Sequence, residues 1–208
     1  MGHGRPVNRG RLLALEGLDG SGKSTQAAAM AEALRAGGHD PLLTREPTEG
    51  PYGRRIRSMA RSGQAVAPEE ELRWFVADRR AHVAEVIQPG LAAGRLVITD
   101  RYYLSTVAYQ GARGLDPGEL LSQSEAEFPL PDLVLLLEID PELGLQRVSQ
   151  RGGVAETVFE RRQFLEQVEA NFRALDLPYL ARIDARGPEQ AVHRAVIDCV
   201  RQRLGLLE

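Results

Sequence analysis

The stretch EGLDGSGKST, Glu16 to Thr25, carries the pattern Gly17-x4-Gly22-Lys23-Ser24. Glycines at this spacing let successive backbone N–H groups converge on phosphate oxygens. A helix opening directly behind them adds positive potential, a lysine can reach the β- and γ-phosphates, and a serine hydroxyl can hold Mg2+. The expected cradle for ATP is therefore Gly17, Leu18, Asp19, Gly20, Ser21, Gly22, Lys23, Ser24 and Thr25, with Lys23 acting on the transferred group. Asp19 is the odd member, a negative charge inside a loop built for anions. Asp100 ends the apolar run RLVIT, the position where α/β sheets place functional residues, and is the second Mg2+ candidate beside Ser24. It can equally cap the helix that follows it, and the two roles are compatible.

Arginines recur at loop positions. Arg45 follows one strand-like run, Arg101 follows another, and Arg147 and Arg151 close a helix-like segment before Gly152-Gly153. Guanidinium groups converging from several loops are what phosphoryl transfer between two anionic substrates requires, so Arg45, Arg101, Arg147 and Arg151 join Lys23 as catalytic candidates. Arg147 and Arg151 also have a local reason to be there, since cations suit a helix C-terminus. A switch GTPase would need a guanine-reading Asn-Lys-x-Asp, and the sequence contains none.

In EELRWFVADRRAHV, Leu72, Phe75, Val76, Arg79 and Val83 fall on one helical face, and Arg79 interrupts an otherwise apolar stripe. A flat aromatic with a guanidinium one turn away can cover a base and bond to its edge, whereas a buried arginine without a partner is costly. Phe75 fits a plain core position as well, and periodicity alone favours that reading. Ser105 and Tyr109, spaced i, i+4, with Gln110 adjacent, bring hydroxyls and an amide to the same crevice, although Gln110-Gly111 also reads as a helix end.

The elements that must position these groups alternate. RLLALE leads through the glycine loop into a helix that Gly37-Gly38 ends, and PLLT is a second strand. A basic helix around RRIRSMA follows, then a long helix from Pro68 to about Gln88, a strand RLVIT, a helix over YLSTVAYQG and a short one opened by Asp116-Pro117. DLVLLLEI is a nearly continuous apolar run, as a strand covered on both faces should be. A helix from Pro141 to about Arg151, a long helix through FERRQFLEQVEANFRAL, a weak edge strand YLARID and a terminal helix complete the chain. The expected fold is a three-layer α/β/α sandwich on a roughly five-stranded parallel sheet.

At 208 residues the chain suits a single P-loop domain spanning 1–208, with residues 1–10 a flexible N-terminus and about 151–160 a lid that closes over the site. Lys+Arg 26 against Asp+Glu 29 gives a net charge of −3. The basic residues are dispersed, so small-molecule partners are expected and nucleic acid is not. A single cysteine and the absence of a long apolar segment point to a cytoplasmic protein off the membrane.

EGLDGSGKSTQ, TREP, LRWFVADRRAHV, DRYYLSTVAYQG and PDLVLLLEIDPELGLQR occur in an order that resembles the thymidylate kinases, which convert dTMP to dTDP with ATP. The resemblance spans nearly the whole chain. It implies that Phe75 stacks on thymine, that Arg79 and Gln110 read the base edge, and that Tyr109 crowds the sugar so that deoxyribose is preferred. Arg45 and Arg101 would hold the acceptor phosphate, and Asp19 would turn to the acceptor's 3′-hydroxyl. Ser105 and Tyr52 complete the implied substrate site, and a homodimer is implied too. Two places depart from the family pattern. The lid reads RGGVAETVFERRQF, so Arg147, Arg151, Arg161 or Arg162 must supply its cation, and REPTEGPYG replaces Arg-Glu-Pro-Gly-Gly, adding Glu49 near the acceptor phosphate. The alternatives are a kinase for another deoxynucleoside monophosphate and, from a different class, a nucleotide-dependent regulatory module without phosphate transfer.

Overall fold

The computed structural model describes residues 9–62, 66–150 and 158–207, and only the backbone of residues 158–161. The lid expected over about 151–160, and Arg151 with it, lies outside the described residues apart from the backbone of 158–160. The expected flexible N-terminus likewise lies outside them, except for Arg9 and Gly10.

Among the described residues five strands form one all-parallel sheet: β1 (Arg11–Gly17), β2 (Pro41–Arg45), β3 (Leu96–Asp100), β4 (Leu133–Glu138) and β5 (Leu180–Asp184), in the order β2-β3-β1-β4-β5. β1, β3 and β4 occupy the middle and are buried almost end to end, which is why their sequences are continuous apolar runs. The outer strands are less covered: after buried Pro41, β2 alternates half-buried and exposed positions, and in β5 only Ile183 is buried.

Helices flank the sheet. α1 (Lys23–Ala36) packs on α9 (Glu189–Leu204), while α5 (Tyr103–Ala112) packs on α6 (Pro117–Glu127) and α8 (Val158–Ala174). α2 (Pro51–Ser62) lies against α3 (Pro68–His82), and α7 (Pro141–Ser149) against α8. The core they close includes Leu12, Leu13, Leu15, Met30, Leu34, Ile98, Leu104 and Leu133, all essentially inaccessible. The Asp116 side chain accepts from the Glu119 N–H at 2.8 Å and caps α6 as the sequence predicts.

The long helix expected from Pro68 to about Gln88 is interrupted. α3 ends at His82, Val83–Ile87 form one π-helical turn, and α4 (Gln88–Ala92) follows, with left-handed Gly94 (φ 75°) in the turn beyond it. Pro89 supplies the reason: its ring opposes the carbonyl four residues back, and a wider turn just before it relieves that conflict. No helix among the described residues is long and apolar enough to cross a membrane.

Candidate active site

The chain winds from β1 outward to β2 and β3 on one side, then to β4 and β5 on the other. A crevice therefore opens at the carboxyl ends of the strands. The parallel register sets Arg45 level with Asp100 and Asp100 level with Leu15, so the ends of β1, β2 and β3 deliver their functional residues side by side.

The loop after β1 runs into α1 through Gly22, which is left-handed (φ 92°) and offers no side-chain cap. The N–H groups of the first turn of α1 thus stay available to an anion. Gly20 is also left-handed (φ 85°), and a Cβ there would meet the Gly144 carbonyl oxygen at 2.4 Å, so α7 lies directly on the loop. The Lys23 ammonium is buried and donates to the Leu18 carbonyl at 2.8 Å. Burial, with Arg101 adding repulsion, pulls its pKa down to about 7. Ser24 Oγ donates to Asp100 Oδ2, and Asp100 Oδ1 is buried without a hydrogen-bond partner among the described residues. A hydroxyl beside a carboxylate with an unused oxygen is a donor set suited to Mg2+, so the residues fit the ion.

Arg101 departs from ordinary backbone geometry, with φ 71°. Its N–H donates to Leu15 O at 2.9 Å, and its carbonyl accepts from Thr99 Oγ1 at 2.7 Å. The guanidinium donates to Ser105 Oγ at 2.8 Å and pairs with the Asp19 carboxylate. Ser105 Oγ in turn donates to Glu16, whose other oxygen accepts from the Tyr102 and Ser105 N–H groups at 2.9 and 3.0 Å. Glu16 is fully buried, and burial pushes its pKa up to about 7 against the opposing pull of Ser105 and Arg101.

Beside the loop is a cavity of about 410 Å3 lined by Phe75, Arg79, Ser105, Tyr109, Gln110 and Phe164, among others. Arg79 is 2% exposed, and its Nε and Nη2 reach Glu46 Oε2 at 2.9 and 2.7 Å. Glu46 Oε1 meets His82 Nδ1 at 2.9 Å, and His82 Nε2 meets Thr44 Oγ1 at 2.7 Å. Burial alone would raise the Glu46 pKa, but Arg79 and His82 hold it below the usual carboxylate value. Arg79 Nη1 and Gln110 Oε1 are buried with no hydrogen-bond partner among the described residues. Phe75 is half-buried and stands outside the core cluster, which corrects the core position that periodicity favoured. Tyr109 is held edge-on by Phe164 and Phe172, at centroid distances of 6.1 and 6.4 Å.

A second cavity of about 400 Å3 lies over the glycine loop, with Lys23, Ser24, Thr25, Arg45 and Asp100 in its wall. The two cavities share Asp19, Glu46, Pro47, Arg57 and Arg101, so they meet at that group. A third, of about 300 Å3, opens on the far side of Gly20 to Gly22 toward Gln26, Arg147 and residues 185–192.

Most of the residues expected at the site come together here. Tyr52 does not: it is 43% exposed and lines neither of the two joined cavities. Arg147 donates to the carbonyls of Ala185 and Arg186 at 3.0 and 3.1 Å and faces the third cavity. Sequence reasoning missed Arg57, which stands where the cavities meet, and Arg113, which pairs with Glu71 at 3.0 Å in the wall of the first. It also missed Glu46 as the anchor of Arg79, although TREP contains it. The REPTEG loop keeps a defined shape without the family's glycines: Thr48 N–H and Oγ1 donate to the Asp78 carboxylate at 2.8 and 2.6 Å.

Comparison with known proteins adds an independent line. Residues 15–196 match the family described as thymidylate kinase. A thymidylate kinase of Desulfotalea psychrophila (strain LSv54 / DSM 12343) is 45% identical over 197 residues, covering 95% of this chain and 97% of that one. Those of Xylella fastidiosa (strain M12) and Xanthomonas euvesicatoria pv. vesicatoria (strain 85-10) are 41% and 43% identical, covering 99% and 94% of this chain and 95% and 87% of theirs.

Proposed function

The chain belongs to the thymidylate kinase family, and from that premise we infer a site that transfers the γ-phosphoryl group of ATP to the phosphate of dTMP, giving ADP and dTDP. One observation supports the base assignment above the others: Arg79 Nη1, a donor, and Gln110 Oε1, an acceptor, are both buried in the same cavity and unpaired among the described residues. Thymine presents an acceptor at O4 and a donor at N3, which satisfies both. Cytosine presents the reverse and would leave two buried polar groups opposed, at a cost of about 1–3 kcal/mol each. Phe75 supplies the stacking face, and Tyr109 crowds the sugar.

The acceptor phosphate belongs at the junction of the two cavities, against Arg101, Arg57 and Arg45, with the ATP phosphates on the glycine loop and Lys23. An anionic phosphate oxygen of dTMP attacks the γ-phosphorus, a new P–O bond forms as the bond to the β-phosphate oxygen breaks, and the electron pair leaves with ADP. That oxygen is already ionised at neutral pH, so no covalent enzyme intermediate is needed and the protein contributes position and charge. Ser24 and Asp100 would hold Mg2+, which when bound offsets charge on the donor phosphates. Asp19 is the negative charge that a phosphate loop should not need. Paired with Arg101 on the acceptor side, it is placed to receive a sugar hydroxyl while steadying that guanidinium.

Arg147 and the segment around 151–160 belong to the same proposal as the source of a lid cation, as do a homodimer and a cytoplasmic location. Family membership supports the dimer, and sedimentation velocity tests it. For the function itself, the experiment is a coupled ADP-release assay with ATP, Mg2+ and dTMP, dUMP, dCMP, dGMP, UMP and AMP in turn. The expected order is dTMP first, dUMP reduced for lack of the methyl group, and dCMP near background. Equal rates with dTMP and dCMP would remove the base-edge roles of Arg79 and Gln110 and leave the phosphate machinery standing.

A further inference from the structure

Glu49 is a carboxylate placed among cations that should be waiting for phosphate. It lies in the loop between β2 and α2, 67% exposed, with one oxygen on Arg45 and the other 2.6 Å from Arg57 Nη2. Its carbonyl accepts from Arg54 Nη1 at 2.6 Å. The hydrogen bond from Arg45, with the nearby arginine charges, holds the Glu49 carboxyl below the usual carboxylate value. Arg45 faces the cavity over the glycine loop, and Arg57 faces both cavities.

We propose that Glu49 acts as an internal competitor of the acceptor phosphate: it occupies Arg45 and Arg57 in the empty site and is displaced when the monophosphate arrives, so that this position sets acceptor affinity. The proposal rests on the reading that the acceptor phosphate sits at the junction of the two cavities. Three features make the exchange possible. Arg57 has a separate anchor, Nη1 to the Pro47 carbonyl at 2.9 Å, so it keeps its place after Glu49 leaves. The loop is fastened through Thr48 and Asp78, which do not involve the Glu49 side chain. The carboxylate is exposed, so withdrawing it into water carries little desolvation penalty, whereas a dianionic phosphate offers more acceptor oxygens to the same forks.

The test uses Glu49→Gln and Glu49→Gly in the full chain. The KM for dTMP should fall by about three- to tenfold in both, the range that releasing two exposed ion pairs allows, with the KM for ATP unchanged. Inorganic phosphate, titrated by calorimetry with ADP filling the glycine loop, should bind more tightly to both variants than to the parent. If phosphate binding is equal in all three proteins, or weaker in the variants, the proposal is overturned and Glu49 serves instead to aim the arginines. A parent protein that fails to phosphorylate dTMP would sink the base assignment, while the phosphate titration would still decide the role of Glu49.

Discussion

Two buried carboxylates and one buried lysine give the site its dependence on pH, each with its own sign. Lys23 loses its proton near pH 7 in the empty protein because burial and Arg101 disfavour the ammonium. The ATP phosphates restore a reason to be charged, so binding should take up a proton once the pH exceeds that value. Calorimetry in buffers of differing ionisation enthalpy should show little uptake at about pH 6 and approach about one proton per ATP at about pH 8. The pH-dependent uptake should disappear in Lys23→Met. Glu46 is the opposite kind of group. Its folded pKa lies below the ordinary 4.5, so its stabilisation is present above that value and is lost as the pH falls through the depressed one. Glu46→Gln leaves the Arg79 charge buried without its counter-ion and should cost about 3–5 kcal/mol in urea unfolding at neutral pH, with less loss on acidification than the parent shows. Glu16, raised to about 7, runs the other way: its contribution is full below about 4.5 and gone above about 7. An unchanged urea midpoint in Glu46→Gln would mean that His82 and Arg79 are held by something other than this carboxylate.

At the scale of elements, the contact of α7 with the glycine loop is where packing becomes function. A Cβ at Gly144 would meet the Asp19 carbonyl at 2.7 Å, and one at Gly20 would meet Gly144 in return, so two glycines let a helix backbone rest on the phosphate loop. Gly144→Val should displace the loop and lower kcat/KM for ATP by about tenfold to a hundredfold, with circular dichroism unchanged. Equal kinetics in parent and variant would show that the loop holds its shape without the helix. Much of this level was legible in the chain. The glycine loop is a local motif, and β3 and β4 announce their burial as unbroken apolar runs. What stayed hidden has a physical reason. Glu46 and His82 are 36 residues apart and meet only because β2 and α3 are brought together by the fold. Periodicity alone could not separate Phe75 from the core, because it reports which residues avoid water and the wall of a cavity avoids it as the core does; only the family resemblance set Phe75 at the site. The π turn at Val83–Ile87 escaped because apolar spacing continues across it.

For the molecule as a whole, the order β2-β3-β1-β4-β5 divides the labour. Apart from Asp19 and Phe164, the wall of the cavity around Phe75 and Arg79 comes from residues 46–113, on the side of β2 and β3. The third cavity draws on residues 20–26, 147–150 and 185–192, mainly on the side of β4 and β5. The central strand and its loop serve both. On the proposed assignment most of the acceptor wall comes from the stretch between β2 and α6, with Asp19 and Phe164 contributing from outside it, while the glycine loop precedes that stretch and Asp100, the Mg2+ candidate, lies within it. A cassette exchanged between Glu46 and Arg113 would carry Asp100 and Arg101 along with the wall around Phe75 and Arg79, so a change of monophosphate preference made that way would also replace part of the machinery that meets the donor phosphates.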